Sequence, residues 1–138
     1  MLNLFARVGA AMTIVAAGLS CSQAVSTADP TVHTVRYTVT AGQPATVDLY
    51  YLTAAPADQA AYNANPNAYL RNERVPVAPD APWVFETSLT DTSWAYVSAG
   101  AAARYNGSQN PHCEIAIDGN VVVQQDGENA ATCALKHW

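Results

Sequence analysis

Apolar and polar positions alternate along most of this chain from Val32 onward. In "VHTVRYTVT", Val35, Tyr37 and Val39 fall on one face, and Thr34, Arg36 and Thr38 on the other. That is the two-residue period of a strand with one face buried. "ATVDLYYLT" repeats it, with Val47, Leu49 and Tyr51 inward, and "AGQP" between them reads as a turn. The first two strands are therefore expected to form a hairpin. From Ala54 to Pro82 the period is lost in a stretch rich in proline and asparagine, where Tyr62, Tyr69 and Leu70 are the main large apolar groups. Within it, Asp58 to Asn63 suits a helical turn or two, and Arg74 to Val77 a short edge strand. A segment of this length in so small a domain, centred on Pro56 to Pro79, reads as a functional or mobile loop.

Alternation returns in "PWVFETSLT", with Trp83, Phe85, Thr87 and Leu89 on one face, and continues through "SWAYVSAGAAARY". The alanine-rich end of that segment could pass for helix, but Gly100 and the lack of an amphipathic stripe favour a strand. After the turn "NGSQNP", Cys113, Ile115 and Ile117 alternate inward. Asp118-Gly119-Asn120 then supplies the positive-φ chemistry of a tight hairpin. Val121 to Val123 form the return strand, "QDGEN" turns again, and Ala131, Cys133 and Leu135 share a face of the last segment. About seven antiparallel strands with turns between them predict an all-β fold, a small immunoglobulin-like β-sandwich spanning residues 32–138.

The N-terminus changes the compartment. One early charge, Arg7, precedes an apolar run from Val8 to Leu19. The run matches the core of an export signal and falls short of the about 20 residues a membrane span needs. Residues 1–21 are read as a signal peptide or membrane anchor, and residues 22–31 as a polar tether. Cys21 stands where the apolar run ends, the position of the lipid-bearing cysteine in bacterial lipoproteins, while Ser22-Gln23-Ala24 offers an ordinary cleavage site. The expected location is the cell envelope, on the outer face of the cytoplasmic membrane. With the leader removed, five basic groups remain against eleven acidic ones. Such a chain, with no basic stripe, is a poor binder of nucleic acid or of anionic lipid.

Three cysteines leave one without a partner in an oxidising compartment. If Cys21 carries lipid or leaves with the signal, Cys113 and Cys133 are free to pair. Both fall on inward positions of strands, and their bridge would close a loop of about 20 residues, worth roughly 3 kcal/mol. No CxxC spacing points to redox or metal chemistry.

The Pro82-Trp83 pair and "CEIAIDGNVVVQQDGENAATC" resemble the MmpS family of mycobacteria and related actinobacteria. The matching residues are Tyr37, Pro82, Trp83, Cys113, Ile115, Ile117, Asp118, Gly119 and Cys133. The resemblance implies a β-sandwich that serves as an accessory partner of MmpL transporters, which belong to the RND superfamily and export lipids and siderophores.

No catalytic constellation accompanies these features. His33, His112 and His137 lie in unrelated segments, without a GxSxG, HExxH or P-loop beside them. Asp118 and Asp126 each precede a glycine and read as turn residues rather than Ca²⁺ ligands. The chain is expected to be non-enzymatic and to need no cofactor or metal. Two function classes follow: an accessory protein of an MmpL-type transporter, or a free-standing envelope lipoprotein that binds a small apolar ligand or another envelope protein. In either, Tyr62 and Tyr69 on the long loop, with Trp83, are the candidate contact residues, tyrosine and tryptophan being enriched at interfaces.

Overall fold

The structure, a computed structural model, describes residues 30–102 and 108–136. Cys21, the leader, most of the tether and His137 lie outside the described residues. Eight strands form two four-stranded sheets. They are β1 (His33–Ala41), β2 (Ala45–Leu52), β3 (Leu70–Val77), β4 (Trp83–Leu89), β5 (Tyr96–Ala101), β6 (Pro111–Ile117), β7 (Asn120–Asp126) and β8 (Ala130–Ala134). One sheet has the order β4-β1-β6-β7 and the other β3-β2-β5-β8. Every ladder is antiparallel. The fold is a β-sandwich.

Most inward positions read from the alternation belong to the core, while Trp83, Phe85, Thr87 and Ile117 are half-buried. Val35, Tyr37, Val39, Val47, Leu49 and Tyr51 are all buried, as are Val97, Ala99, Cys113, Ile115, Ala131 and Cys133. Each fully buried Val or Leu contributes about 1.5–3 kcal/mol relative to an exposed one. Cys113 on β6 and Cys133 on β8 form a disulfide with a Cα–Cα distance of 6.1 Å. Because β6 and β8 belong to different sheets, the bond staples one layer of the sandwich to the other.

The expected β1–β2 hairpin does not form. β1 pairs with β4 and β6, whereas β2 pairs with β3 and β5. The turn at Gly42–Pro44 carries the chain from one sheet to the other, where Gly42 N–H donates to the carbonyls of Gln109 and Asn110. Alternation fixes which face of a strand is buried, and a strand facing its predecessor across the core alternates just as a hairpin partner does.

The stretch read as a long loop is more ordered than expected. It holds the short helix expected from Asp58 to Asn63, α1 (Gln59–Ala64), and beyond that a 3₁₀ turn at Pro66–Ala68 and all of β3. β3 starts four residues before the predicted edge strand, because its first half, Arg71 to Arg74, is exposed and charged and shows no apolar alternation. Only Val75 and Val77 of β3 are buried. At the other end, Leu135 falls just past β8 and is exposed, leaving Ala131 and Cys133 as that strand's inward pair.

Candidate functional site

Tyr50 of β2 stands at an outward position, 47% exposed. Together with Tyr62 of α1, Leu70 of β3 and Tyr96 of β5 it lines a cavity of about 180 Å³ on the outer side of the second sheet. Three phenol rings and a leucine give it apolar walls, and no lining side chain is charged. A larger, shallow groove of about 390 Å³ lies between Pro44–Thr46, Pro76–Ala78 and Ala81, where Thr46 is the one polar side chain.

Local chemistry holds α1 over the sheet. Asp58 caps it, accepting the Ala61 N–H at 2.7 Å, the side-chain bond an N-cap aspartate makes. Thr53 donates to the Tyr69 carbonyl from both its N–H, at 2.7 Å, and its hydroxyl, at 3.1 Å. Lys136 Nζ lies 3.6 Å from the centre of the Trp94 ring and donates to Gln59 Oε1 at 3.0 Å. The Tyr62 ring packs 5.9 Å from Trp94 and 6.4 Å from Tyr69.

These contacts alter the picture of the candidate contact residues. Tyr62 and Tyr69 do not project from a free loop; both are half-buried against the core cluster. Prolines and asparagines suggested an open loop, but the capped helix turns Tyr62 inward, and Tyr69, at the end of the 3₁₀ turn, packs beside it. Tyr62 reaches the cavity, while Tyr69 supports Tyr62 from behind. Trp83 belongs to another group of rings. On β4 it lies 4.8 Å from Tyr51 and stacks on Phe85 at 6.1 Å. Tyr51 Oη donates to Glu73 Oε2 at 2.7 Å, and burial, then that carboxylate, pushes the Tyr51 hydroxyl up. Tyr50 and Tyr96 escaped the sequence reading, although a bulky aromatic at an outward position in "DLYYLT" was a signal for Tyr50.

Asp118 and Gly119 form the two-residue β6–β7 turn with φ of 50° and 87°, the left-handed pair of a type I′ hairpin. Asp118 does more than turn. Its carboxylate accepts from His33 Nδ1 at 2.6 Å and from the Thr34 N–H at 3.0 Å. His33 first, then Thr34, holds that carboxyl below its usual range. The hairpin tip is thereby tied to the start of β1.

His112 faces outward, opposite to its neighbour Cys113, and both ring nitrogens meet carboxylates. Nδ1 lies 2.7 Å from Asp126 Oδ1, and Nε2 lies 3.0 Å from Glu114 Oε1. The Glu114 hydrogen bond leads in raising its pKa, with Asp126 adding to it. Such a histidine is a clamp across β6 and β7. Among the described residues no three His, Cys, Asp or Glu side chains are grouped to hold a metal ion, and no helix is long and apolar enough to cross a membrane.

The profile of the Rv2576c β-sandwich domain matches residues 37–133, which run from the core tyrosine of β1 to the second disulfide cysteine. The Mycobacterium tuberculosis protein Rv2576c and the Mycobacterium bovis protein Mb2606c are each 38% identical to this chain over 116 residues. The matched region covers 83% of this chain and 74% of each relative. The chain thus belongs to the Rv2576c β-sandwich domain family.

Proposed function

We propose that the protein is an exported, non-enzymatic accessory protein of an MmpL-type envelope transporter of the RND superfamily, serving lipid or siderophore export. It acts by contact, from the outer face of the cytoplasmic membrane, held there by lipid on Cys21 or by its apolar N-terminal segment. The resemblance to the MmpS family from Trp83 to Cys133 and the mycobacterial source of its relatives support the partner class.

The observation that carries the reading is the uncharged tyrosine cavity of Tyr50, Tyr62, Leu70 and Tyr96. At about 180 Å³ it is smaller than the about 300–1,000 Å³ usual for ligand sites. A lipid chain or siderophore does not fit it, but one apolar or aromatic side chain of a partner does. This favours docking over carrying cargo. The shallow groove beside Pro44 and Pro76 is the feature that favours the second reading, a free-standing envelope module for a small apolar ligand.

The test is a photo-crosslinking residue placed at Tyr50 in the full chain, in intact cells of the native host. Capture of a large membrane transporter supports the proposal. Capture of other envelope proteins alone, or of none, overturns it in favour of the binding module. Cys21→Ala addresses the anchor: release from the membrane fraction supports lipid attachment, and unchanged mass and fractionation support an ordinary signal or a helical anchor.

A further inference from the structure

Of the four walls of the tyrosine cavity, Tyr62 alone comes from outside the sheets; Tyr50, Leu70 and Tyr96 stand on β2, β3 and β5. Its helix is a weak support. α1 has six residues and buries none of them, and isolated helices shorter than about 12–15 residues are marginal in water. The Asp58 cap and a Gln59–Asn63 side-chain bond of 3.1 Å act within the segment. Thr53 fixes the chain only where the segment ends, at Tyr69.

A direct tie between the helix and the sandwich comes from the far end of the sequence. Just past β8, the Leu135 N–H donates to the Ala95 carbonyl at 3.2 Å. Beside Ala95 stands Trp94, 4% exposed, in the 3₁₀ turn Thr92–Trp94, which Asp91 caps through the Ser93 N–H at 3.0 Å. Backbone and indole are thus both anchored where Lys136 begins. Its ammonium lies over the Trp94 ring and donates to Gln59, the first residue of α1, while the Tyr62 ring packs on the same indole. Tryptophan is the best aromatic partner for a cation, and an ammonium has three protons, so one can reach Gln59 while the charge stays on the ring. Strand end, indole and helix meet at one cation.

We propose that Lys136 is a positioning residue for the cavity: held on Trp94, it fixes α1 through Gln59 and so keeps Tyr62 in the cavity wall. The proposal rests on the docking reading of that cavity and adds the residue that keeps its shape. Lys136 does not itself line the cavity, so it acts through Tyr62. Methionine at this position would match the stem and lose both interactions, whereas arginine keeps the cation, the donors and the ability to stack on an aromatic face.

Hydrogen exchange of the full chain in mild detergent, read by mass spectrometry at short labelling times, tests this. Lys136→Met should speed exchange of the Gln59–Asn65 backbone about tenfold, the loss of one cation–π contact and one charged hydrogen bond. Peptides from β2 and β5 should keep their protection. Lys136→Arg should restore α1. In photo-crosslinking from Tyr50, Lys136→Met should cut capture of the transporter several-fold, and Lys136→Arg should not. The proposal is overturned if Lys136→Met leaves α1 exchange unchanged, or speeds β2 and β5 equally. It is also overturned if Lys136→Arg fails to restore protection, or if α1 loosens with capture undiminished. A wild type that captures no transporter overturns the docking reading instead, and the exchange rates then decide the Lys136 clasp by themselves.

Discussion

The phenol of Tyr37, in β1, donates a 2.8 Å hydrogen bond to the main-chain carbonyl of Leu52, in β2. The two strands belong to different sheets, so this hydrogen bond ties one layer of the sandwich to the other. Burial pushes the Tyr37 hydroxyl far above its ordinary value of 10.0, which keeps it a donor at any pH the fold meets. Tyr37→Phe would leave the carbonyl without this partner, and an unsatisfied buried polar group costs about 1–3 kcal/mol. Denaturant unfolding of the two proteins should show that loss with an unchanged slope. A difference below about 0.5 kcal/mol, the scatter of neutral substitutions, would mean that Leu52 O finds another donor.

Cys113 and Cys133 are both fully buried, so reductant should reach their bond only when the sandwich opens. Thiol labelling after dithiothreitol should stay near zero in buffer and become complete in denaturant. Cys133→Ala should lower stability by roughly 3 kcal/mol, the chain-entropy value for a loop of this length. Non-reduced digests should show the two peptides linked; free thiols in the native protein would contradict the pairing.

The His112 clamp makes stability depend on pH. Its pKa is raised in the fold, so its contribution is fully present below the ordinary histidine value of 6.5 and is lost as pH rises through the raised value. Asp118 and Asp48 are lowered, by His33 and Arg74 respectively. Their contributions are present above the ordinary 3.8 and are lost as pH falls through the lowered values. Thermal midpoints should therefore peak between about pH 4 and 6.5. His112→Gln should flatten the alkaline side of that peak and leave the acid side in place.

Tyr69 and Tyr50 should separate stability from docking. Tyr69 is half-buried against the core. Its truncation to alanine should cost about 1–2 kcal/mol, a fraction of the about 3–5 typical of a fully buried aromatic. Tyr50→Ala, at an exposed position, should stay within about 0.5 kcal/mol of wild type. In a pull-down of the envelope transporter, Tyr50→Ala should lose most of the signal at unchanged melting temperature.

Much of the fold was legible because alternation reports burial directly. Every inward residue read in the first two strands is buried, and Asp118-Gly119 adopts the turn its sequence implies. Pairing was not legible, because the period of β1 and β2 is the same whether they lie side by side or face to face. The His112 clamp shows the limit at one residue. Counting back from Ile117 opposite Asn120 without interruption puts His112 opposite Gln125. The skip at Val122 moves it to Asp126 and creates the ion pair. Nothing in "NVVVQQD" announces that skip. The tyrosine cavity was hidden for another reason: its four walls come from α1, β2, β3 and β5, and only the topology brings them together.

The position of β1 has a consequence for how the domain comes into being. β1 is the first strand to appear as the chain emerges from N- to C-terminus, yet its neighbours on either side are Trp83–Leu89 and Pro111–Ile117. It has no early partner. Until most of the chain is out, its row of Val35, Tyr37 and Val39 stays uncovered, and loops that long are slow to close. β2 and β3, consecutive in the chain, can pair early, whereas β1 must wait for β4 before its first ladder can form and for β6 before its second.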